Sequence, residues 1–348
     1  MSPVAVNKRL LFNEVPDGYL ELGVTLKLDS TSQIDLDAPL EEGAILVKTK
    51  ALAIDPYLRN RMQGPSAKGY IPNFSYSLGE PISNFGIVVV IRSENPAFQV
   101  GDHLYDHFKF QEYSIIKDPT TCRVLKNEEK LPWSAYLGTL GMPGQTAYFG
   151  WKLYSYAKSG ETVFITTAAG TVGAAVVQLA KAQGLKVIAS AGSDEKVDYV
   201  KSLGADVAFN YKTKSTREVL DELGHGIDIY WDNVGGEILE AAIDALNIFG
   251  RIIMCGAISQ YNTKTPYGIK NLFHAVTKRI TIHGFVVADA IATHKEDFYA
   301  EFPKLVAEGK IQHKEQLHYG LGSAEQALID TFKGDNIAKP VIVLDESL

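Results

Sequence analysis

The amino-acid sequence predicts an α/β fold: a doubly wound parallel sheet beside a second, β-rich domain. Three observations carry this. From about Leu131, strand-like and helix-like segments alternate. A glycine-containing turn, Ala168-Ala169-Gly170-Thr171-Val172-Gly173, falls between one such strand and the helix after it. Up to about Lys130 the chain instead reads as short β segments broken by turns.

The β-rich part shows its strands in Gly43–Lys48, Gly86–Ile91 and Asp102–Tyr105. Asp55-Pro56, Gly64-Pro65, Asn95-Pro96 and Val100-Gly101-Asp102 punctuate it. In the second part, Val163–Thr166 reads as a strand and Val172–Gln183 as a helix. Lys186–Ser190 is a strand, Glu195–Leu203 a helix and Asp206–Asn210 a strand. Ser215–Leu223 is a helix, Ile227–Trp231 a strand and Gly236–Leu246 a helix. Gly250–Cys255 and Ile280–Phe285 close the series as strands. Strands separated by single helices are βαβ units, which make parallel sheets. Ala338–Leu344 is β-like again. The expected domains are therefore 1–130, β-rich; 131–308, nucleotide-binding; and 309–348, a return to the first.

The bulk numbers narrow the partners. Hydrophobic residues make up 46% and charged residues 22% of the 348, ordinary values for a globular chain. A net charge of -7 argues against nucleic acid or an anionic membrane as partner. The longest evident apolar run, Phe85–Ile91, is of strand length. The N-terminal MSPVAVNKRL lacks a signal-peptide core, and the C-terminal VIVLDESL carries no retention or peroxisomal tag. The 2 cysteines, Cys122 and Cys255, form no CxxC pair, so a reducing, cytoplasmic setting is expected.

The glycine turn departs from G-x-G-x-x-G only at Ala168, where a tight turn needs merely a small side chain. Gly170 lets backbone approach a pyrophosphate at the helix N-terminus, and Gly173 allows close helix–strand packing. The second strand ends Ser190-Ala191-Gly192-Ser193, without the carboxylate that would hold an NAD ribose and repel a 2′-phosphate. Lys196 follows with a positive charge, and Tyr211, at the end of the third strand, closes over the same end. The cofactor read from this is NADP(H), provided Asp194 and Glu195 point away.

These blocks resemble the zinc-independent medium-chain dehydrogenase/reductases, in particular the NADPH-dependent 2-alkenal and prostaglandin reductases. The resemblance runs end to end, through Asp55-Pro56-Tyr57-Leu58-Arg59, Gly141–Tyr148, the Gly170 turn, Ala191–Lys196, Phe209–Lys212, Asp232–Gly236 and Cys255–Asn262. It implies a Rossmann domain joined to a GroES-like catalytic domain, in a homodimer. It also implies that Thr146, Ala169, Gly170, Thr171, Val172, Gly173 and Gly192 meet the cofactor, with Lys196 and Tyr211 at its 2′-phosphate. Asn233, Cys255, Gly256, Ala257, Ile258, Ser259, Phe285, Val286, Val287 and Asn336 would line the rest. Where relatives have an aromatic-rich glycine turn, this chain reads Ser83-Asn84-Phe85-Gly86-Ile87, a difference bearing on substrate size and shape.

A catalytic zinc needs three protein ligands and an open position. The place for a first ligand reads Ala53-Ile54-Asp55-Pro56, and none of the 8 histidines forms H-E-x-x-H. His103 and His107 are four apart, but their segment reads as strand and turn. No metal is expected. Reducing a conjugated C=C bond suits such a site, because hydrogen-bond donors suffice to stabilise an enolate. The resemblance implies that Tyr261 does this through the nicotinamide ribose hydroxyl. Tyr57, Phe74, Tyr76 and Phe85 are the expected substrate wall. Asp55 reads as a turn or cap residue rather than a general base. The expected substrate is a small-molecule enal or enone. A quinone reductase of the same superfamily, or an NADPH-binding protein without turnover, are the alternatives.

Overall fold

The computed structural model describes residues 4–64 and 74–345, so Pro65 of the Gly64-Pro65 turn lies outside the described residues. The chain divides into two compact units: Met1–Leu137 with Glu315–Leu348, and Gly138–Lys314.

The Gly138–Lys314 unit holds a parallel sheet of β1 (Thr162–Ile165), β2 (Lys186–Ala191), β3 (Val207–Asn210), β4 (Ile227–Asp232), β5 (Leu246–Met254) and β6 (Thr281–Gly284). Its order is β3-β2-β1-β4-β5-β6, the doubly wound arrangement expected. β1 is buried throughout because helices cover both faces. Val163 and Ile165 pack with Val176, Ala180 and Trp231 on one side. Phe164 packs with Ile188, Tyr230 and Ile243 on the other. The unit also holds the helices α1 (Met142–Tyr154), α2 (Thr171–Ala182), α3 (Asp194–Ser202), α4 (Thr216–Glu222), α5 (Gly236–Ala245) and α6 (Val287–Ala307), and a short helix at His274–Thr277.

Two of these, α1 and α6, have no clear signal in the sequence. α1 contains Gly144 and Gly150, which weaken a helix intrinsically. Packing overrides propensity here. A Cβ on Gly144 would stand 1.7 Å from the Thr139 carbonyl oxygen, and one on Gly150 2.5 Å from the Phe285 ring. α6 contains Pro303, but Phe298, Phe302 and Val306 form a buried stripe that holds it.

The other unit is built on a sheet in the order Glu315–Tyr319, Lys339–Val343, Ile45–Ala53, Ser83–Ser93, His103–Lys109 and Arg123–Val124, with Tyr113–Ile116 also paired to Ile45–Ala53. The strand expected over Gly43–Lys48 runs on to Ala53. Its polar interruptions are satisfied in place: Thr49 donates to the Gln111 carbonyl at 2.6 Å, and Lys50 pairs with Asp345 at 3.2 Å. The helix Ala324–Lys333 sets Ala324, Ala327 and Leu328 into a core with Phe12, Leu26, Leu52 and Phe110.

Candidate functional site

In the Gly138–Lys314 unit the strand order reverses between β1 and β4, so their connections leave in opposite directions. Asn233 ties the two strand ends together. Its backbone N–H donates to Thr166 Oγ1 at 3.0 Å, and its side-chain amide donates to the Thr166 carbonyl at 2.7 Å.

The glycine turn starts here. Thr167 adopts φ 52°, an unusual conformation for a β-branched residue, and reverses the chain. The Ala168 N–H then donates to the Ser190 carbonyl at 3.0 Å, binding the turn to the end of β2. Ala168 and Ala169 are buried. Gly170 is the N-cap of α2, extended at φ -74° and ψ 161°, with no side chain capping the helix. Thr171, Val172 and Gly173 form the first turn, whose N–H groups suit an anion. The two glycines differ. A Cβ on Gly173 would stand 2.5 Å from the Thr167 carbonyl oxygen and 2.8 Å from Ala168 Cα. A Cβ on Gly170 would meet nothing nearer than 3.2 Å. The protein itself needs Gly173 bare, whereas its own packing constrains Gly170 less.

At the end of β2, the side-chain oxygen of Ser193 accepts from the Lys196 N–H at 3.3 Å, capping α3 and setting the largely buried Lys196 in its first turn. The ring of Tyr211 lies over Gly192, with the hydroxyl 3.0 Å from where a Cβ would stand. Asp194 accepts from Asn210 Nδ2 at 2.9 Å, which turns its carboxylate toward the end of β3.

Beyond β5, Cys255 and Gly256 donate their N–H groups to the Asp232 carbonyl at 2.9 and 3.0 Å. Ile258 and Ser259 donate to the carbonyls of Asn233 and Val234, both at 3.2 Å. This ladder folds the chain back so that the Tyr261 hydroxyl accepts from the Ala257 N–H at 3.4 Å, beside Gly256. Beneath it, the Asp232 carboxyl accepts from the Tyr230 hydroxyl and the Val234 and Gly235 N–H groups, each at 2.8 Å. Burial pushes its pKa up, and pushes the Cys255 thiol up to about 12, which leaves no thiolate at neutral pH. Phe285 packs against Tyr154 and Trp231, Val286 is extended, and α6 begins at Val287. Thr146, on α1, donates its hydroxyl proton to the Met142 carbonyl at 2.8 Å.

The remaining cofactor candidate, Asn336, belongs to the other unit, where it donates to the Ala338 carbonyl at 2.9 Å. That unit also holds the four expected substrate residues, and they come together. The rings of Tyr57 and Phe74 stack at 5.8 Å. The Arg61 guanidinium lies 4.2 Å from the centre of Phe74 and 4.1 Å from that of Tyr76. It donates to the carbonyls of Phe74 and Ser83 at 2.9 and 2.6 Å. Tyr76 donates to the Ser83 carbonyl at 2.7 Å. Phe85 stacks on Tyr105 at 5.2 Å and meets the His107 ring edge-on at 4.0 Å.

A polar chain not legible in the sequence supports this wall. Lys339 and Asp55 form a buried ion pair. Asn84 donates to Asp55 at 2.9 Å and to the Ala53 carbonyl at 2.8 Å. Both partners are acceptors, so the amide orientation is fixed and Asn84 Oδ1 faces Tyr57. The Tyr57 hydroxyl therefore donates its proton to Asn84. Burial, reinforced by the Asp55 charge, raises the Tyr57 pKa well above 10. Asp55 is thus an ion-pair anchor as well as a turn residue. The sequence carries no sign of Arg61 here, and it raises His107 only as a partner of His103 for a metal; the one available signal for its place in the wall is that it sits two positions beyond Tyr105 in a strand-like alternation.

Among the described residues, no group of three or more His, Cys, Asp or Glu could hold a metal ion, and no helix is long and apolar enough to cross a membrane.

Comparison with known proteins places the chain. Residues 171–308 match the family model "Zinc-binding dehydrogenase", and residues 8–124 match "N-terminal domain of oxidoreductase". A zinc-type alcohol dehydrogenase-like protein of Schizosaccharomyces pombe is 42% identical, covering 94% of this chain and 95% of the relative. The NADP(+)-dependent 2-alkenal reductase of Nicotiana tabacum is 39% identical, covering 99% of each. The crystal structure of CurA in complex with NADPH, from Vibrio vulnificus, superposes with a TM-score of 0.88 at 32% identity, over 97% of this chain and 99% of that one. The chain belongs to the medium-chain dehydrogenase/reductases, within their zinc-independent alkenal-reductase family.

Proposed function

We propose that this chain reduces the conjugated C=C bond of α,β-unsaturated aldehydes and ketones with NADPH, without a metal. The observation that carries the cofactor is the ribose end: Gly192 is bare beneath Tyr211, Lys196 opens α3, and Asp194 is turned onto Asn210. A 2′-phosphate meets a cation there and no facing carboxylate from Asp194. Gly170 and the first turn of α2 would hold the pyrophosphate, and Asn233, Cys255–Ser259 and Phe285–Val287 the nicotinamide side.

When bound, NADPH supplies the hydride that adds to the substrate β-carbon. Negative charge would then develop on the carbonyl oxygen, and a proton from solvent or through the ribose hydroxyl would complete the α-carbon. Tyr261 is the residue we assign to orienting the ribose hydroxyl that faces this oxygen. Tyr57 and Tyr76 supply ring faces, because their hydroxyl protons are committed to Asn84 and the Ser83 carbonyl. With Phe74 and Phe85 they give an apolar wall that suits an alkenal chain. Asn336 completes the cofactor set in this reading. The Met1–Leu137 and Glu315–Leu348 segments supply the substrate domain, and Gly138–Lys314 the nucleotide domain.

We further propose a homodimer in the cytosol. β6 is a sheet edge, and near it Phe249, Phe273 and Val276 are 66%, 73% and 66% exposed, an apolar surface that a second copy would cover.

A substrate panel followed by NADPH absorbance tests the activity: 2-alkenals and cyclic enones should be consumed, and saturated alcohols should not. Faster turnover of quinones than of any enal would replace the reading with quinone reduction. Prolonged chelation should leave the rate intact; its loss, with recovery on added zinc, would overturn the metal-free part.

A further inference from the structure

Among the described residues of the aromatic wall, one buried polar side-chain atom, Nε2 of His107, has no hydrogen-bond partner. His107 lies opposite Phe85 in the antiparallel register, so both side chains leave the same face of the sheet. Its ring meets Phe85 at 4.0 Å and stands 6.4 Å from Phe74. Its Nε2 is buried and makes no hydrogen bond. Around it, Tyr57, Tyr76, Asn84 and Arg61 all have partners inside the wall. A buried polar atom without a partner is costly, and the cost is recovered when a ligand supplies one.

We propose that His107 is a specificity-determining residue whose Nε2 hydrogen-bonds a hydroxyl carried by the substrate outside its conjugated system. This rests on the reading of the chain as an enal and enone reductase. A hydroxyl is the group that fits, because it is both donor and acceptor and pairs with either neutral tautomer of the ring. A carbonyl would pair with only one. Neutrality of the ring agrees with its burial beside Arg61, which holds its pKa near 4. The ring of Phe74, partly exposed, stands 6.4 Å from that of His107, and the Phe74 carbonyl is held by Arg61. The fit selects hydroxylated alkenals and enones over plain ones of equal length.

The test compares a 2-alkenal with a series of the same chain length hydroxylated at successive carbons beyond the double bond. Each is assayed with NADPH against the wild-type protein, His107→Phe and His107→Gln. Phe keeps the ring and removes Nε2; Gln restores a polar atom at similar reach. The ratio of kcat/KM, hydroxylated over plain, should fall about tenfold in His107→Phe for at least one member, mainly through KM, and recover in His107→Gln. Equal losses on plain and hydroxylated substrates, or an unchanged ratio across the series, overturn the role of His107 while leaving the reductase reading intact. A wild-type protein that reduces no member of the series overturns both. If His107→Phe does not fold, the ratio in His107→Gln set against His107→Leu decides in the same way.

Discussion

The hydroxyl of Tyr211 lies over the bare Cα of Gly192, 3.0 Å from where a Cβ would stand. Gly192→Ala should therefore push Tyr211 aside and weaken NADPH a few-fold, since the clash is with the far end of a flexible side chain. Lys196→Ala should weaken NADPH by about ten- to a hundredfold, the worth of a charge-assisted hydrogen bond, and leave NADH nearly unchanged. Equal losses for both cofactors, measured by fluorescence titration, would make Lys196 structural.

Gly170 and Gly173 should separate stability from binding. Gly173→Ala drives a Cβ into the Thr167 carbonyl and Ala168 backbone, and should destabilise the protein without cofactor by about 1–3 kcal/mol. Gly170→Ala should stay within about 1 kcal/mol of wild type by denaturant unfolding, yet weaken NADPH at least tenfold, because its Cβ would stand where we propose the pyrophosphate binds. Similar unfolding midpoints with similar NADPH affinities for both variants would contradict that placement.

His107 should make stability depend on pH. Burial first, then the Arg61 charge, lowers its pKa from 6.5 to about 4, against the opposing pull of Asp106 and Asp55. Between those values the unfolded chain takes a proton that the folded state refuses. Stability is thus full above 6.5 and is lost as pH falls toward 4. Between pH 7 and pH 5 this group should remove about 2 kcal/mol, and His107→Phe should abolish that share. Urea unfolding at both pH values, wild type against variant, measures it; parallel curves would contradict it.

Tyr261→Phe deletes the hydroxyl that accepts from the Ala257 N–H at 3.4 Å and keeps the ring. kcat with an enal should fall about ten- to a thousandfold, nearer the lower end, if this group orients the donor to the enolate. NADPH affinity should hardly change, and stability should hold within about 1 kcal/mol. An unchanged kcat, with the hydride step shown by isotope effect to limit the rate, would return Tyr261 to the packing residues.

The parts of this protein that could be read from its sequence are those in which one short segment contains the whole physical reason. β1, the Gly170 turn and α2 follow one another within 21 residues, Thr162–Ala182, and each glycine has a local task. The tip of β2 without an acid was legible for the same reason. α1 was not, because Gly144 and Gly150 are dictated by Thr139, Trp231 and Phe285, contacts that no helix propensity reports. The Lys339–Asp55–Asn84–Tyr57 chain was not either: its ion pair joins residues 284 positions apart, and only the sheet brings them together. His107 looked like one more strand residue until its register against Phe85 was known.

In the proposed reaction, hydride reaches the carbon β to the carbonyl. Reduction of a 2-alkenal by NADPH carrying deuterium at its transferring position tests it most directly, with the product read by mass spectrometry and NMR. The expected product is a saturated aldehyde with one deuterium, on the β-carbon, and solvent hydrogen on the α-carbon. An allylic alcohol with deuterium on the carbinol carbon would contradict it, because hydride would then have gone to the carbonyl.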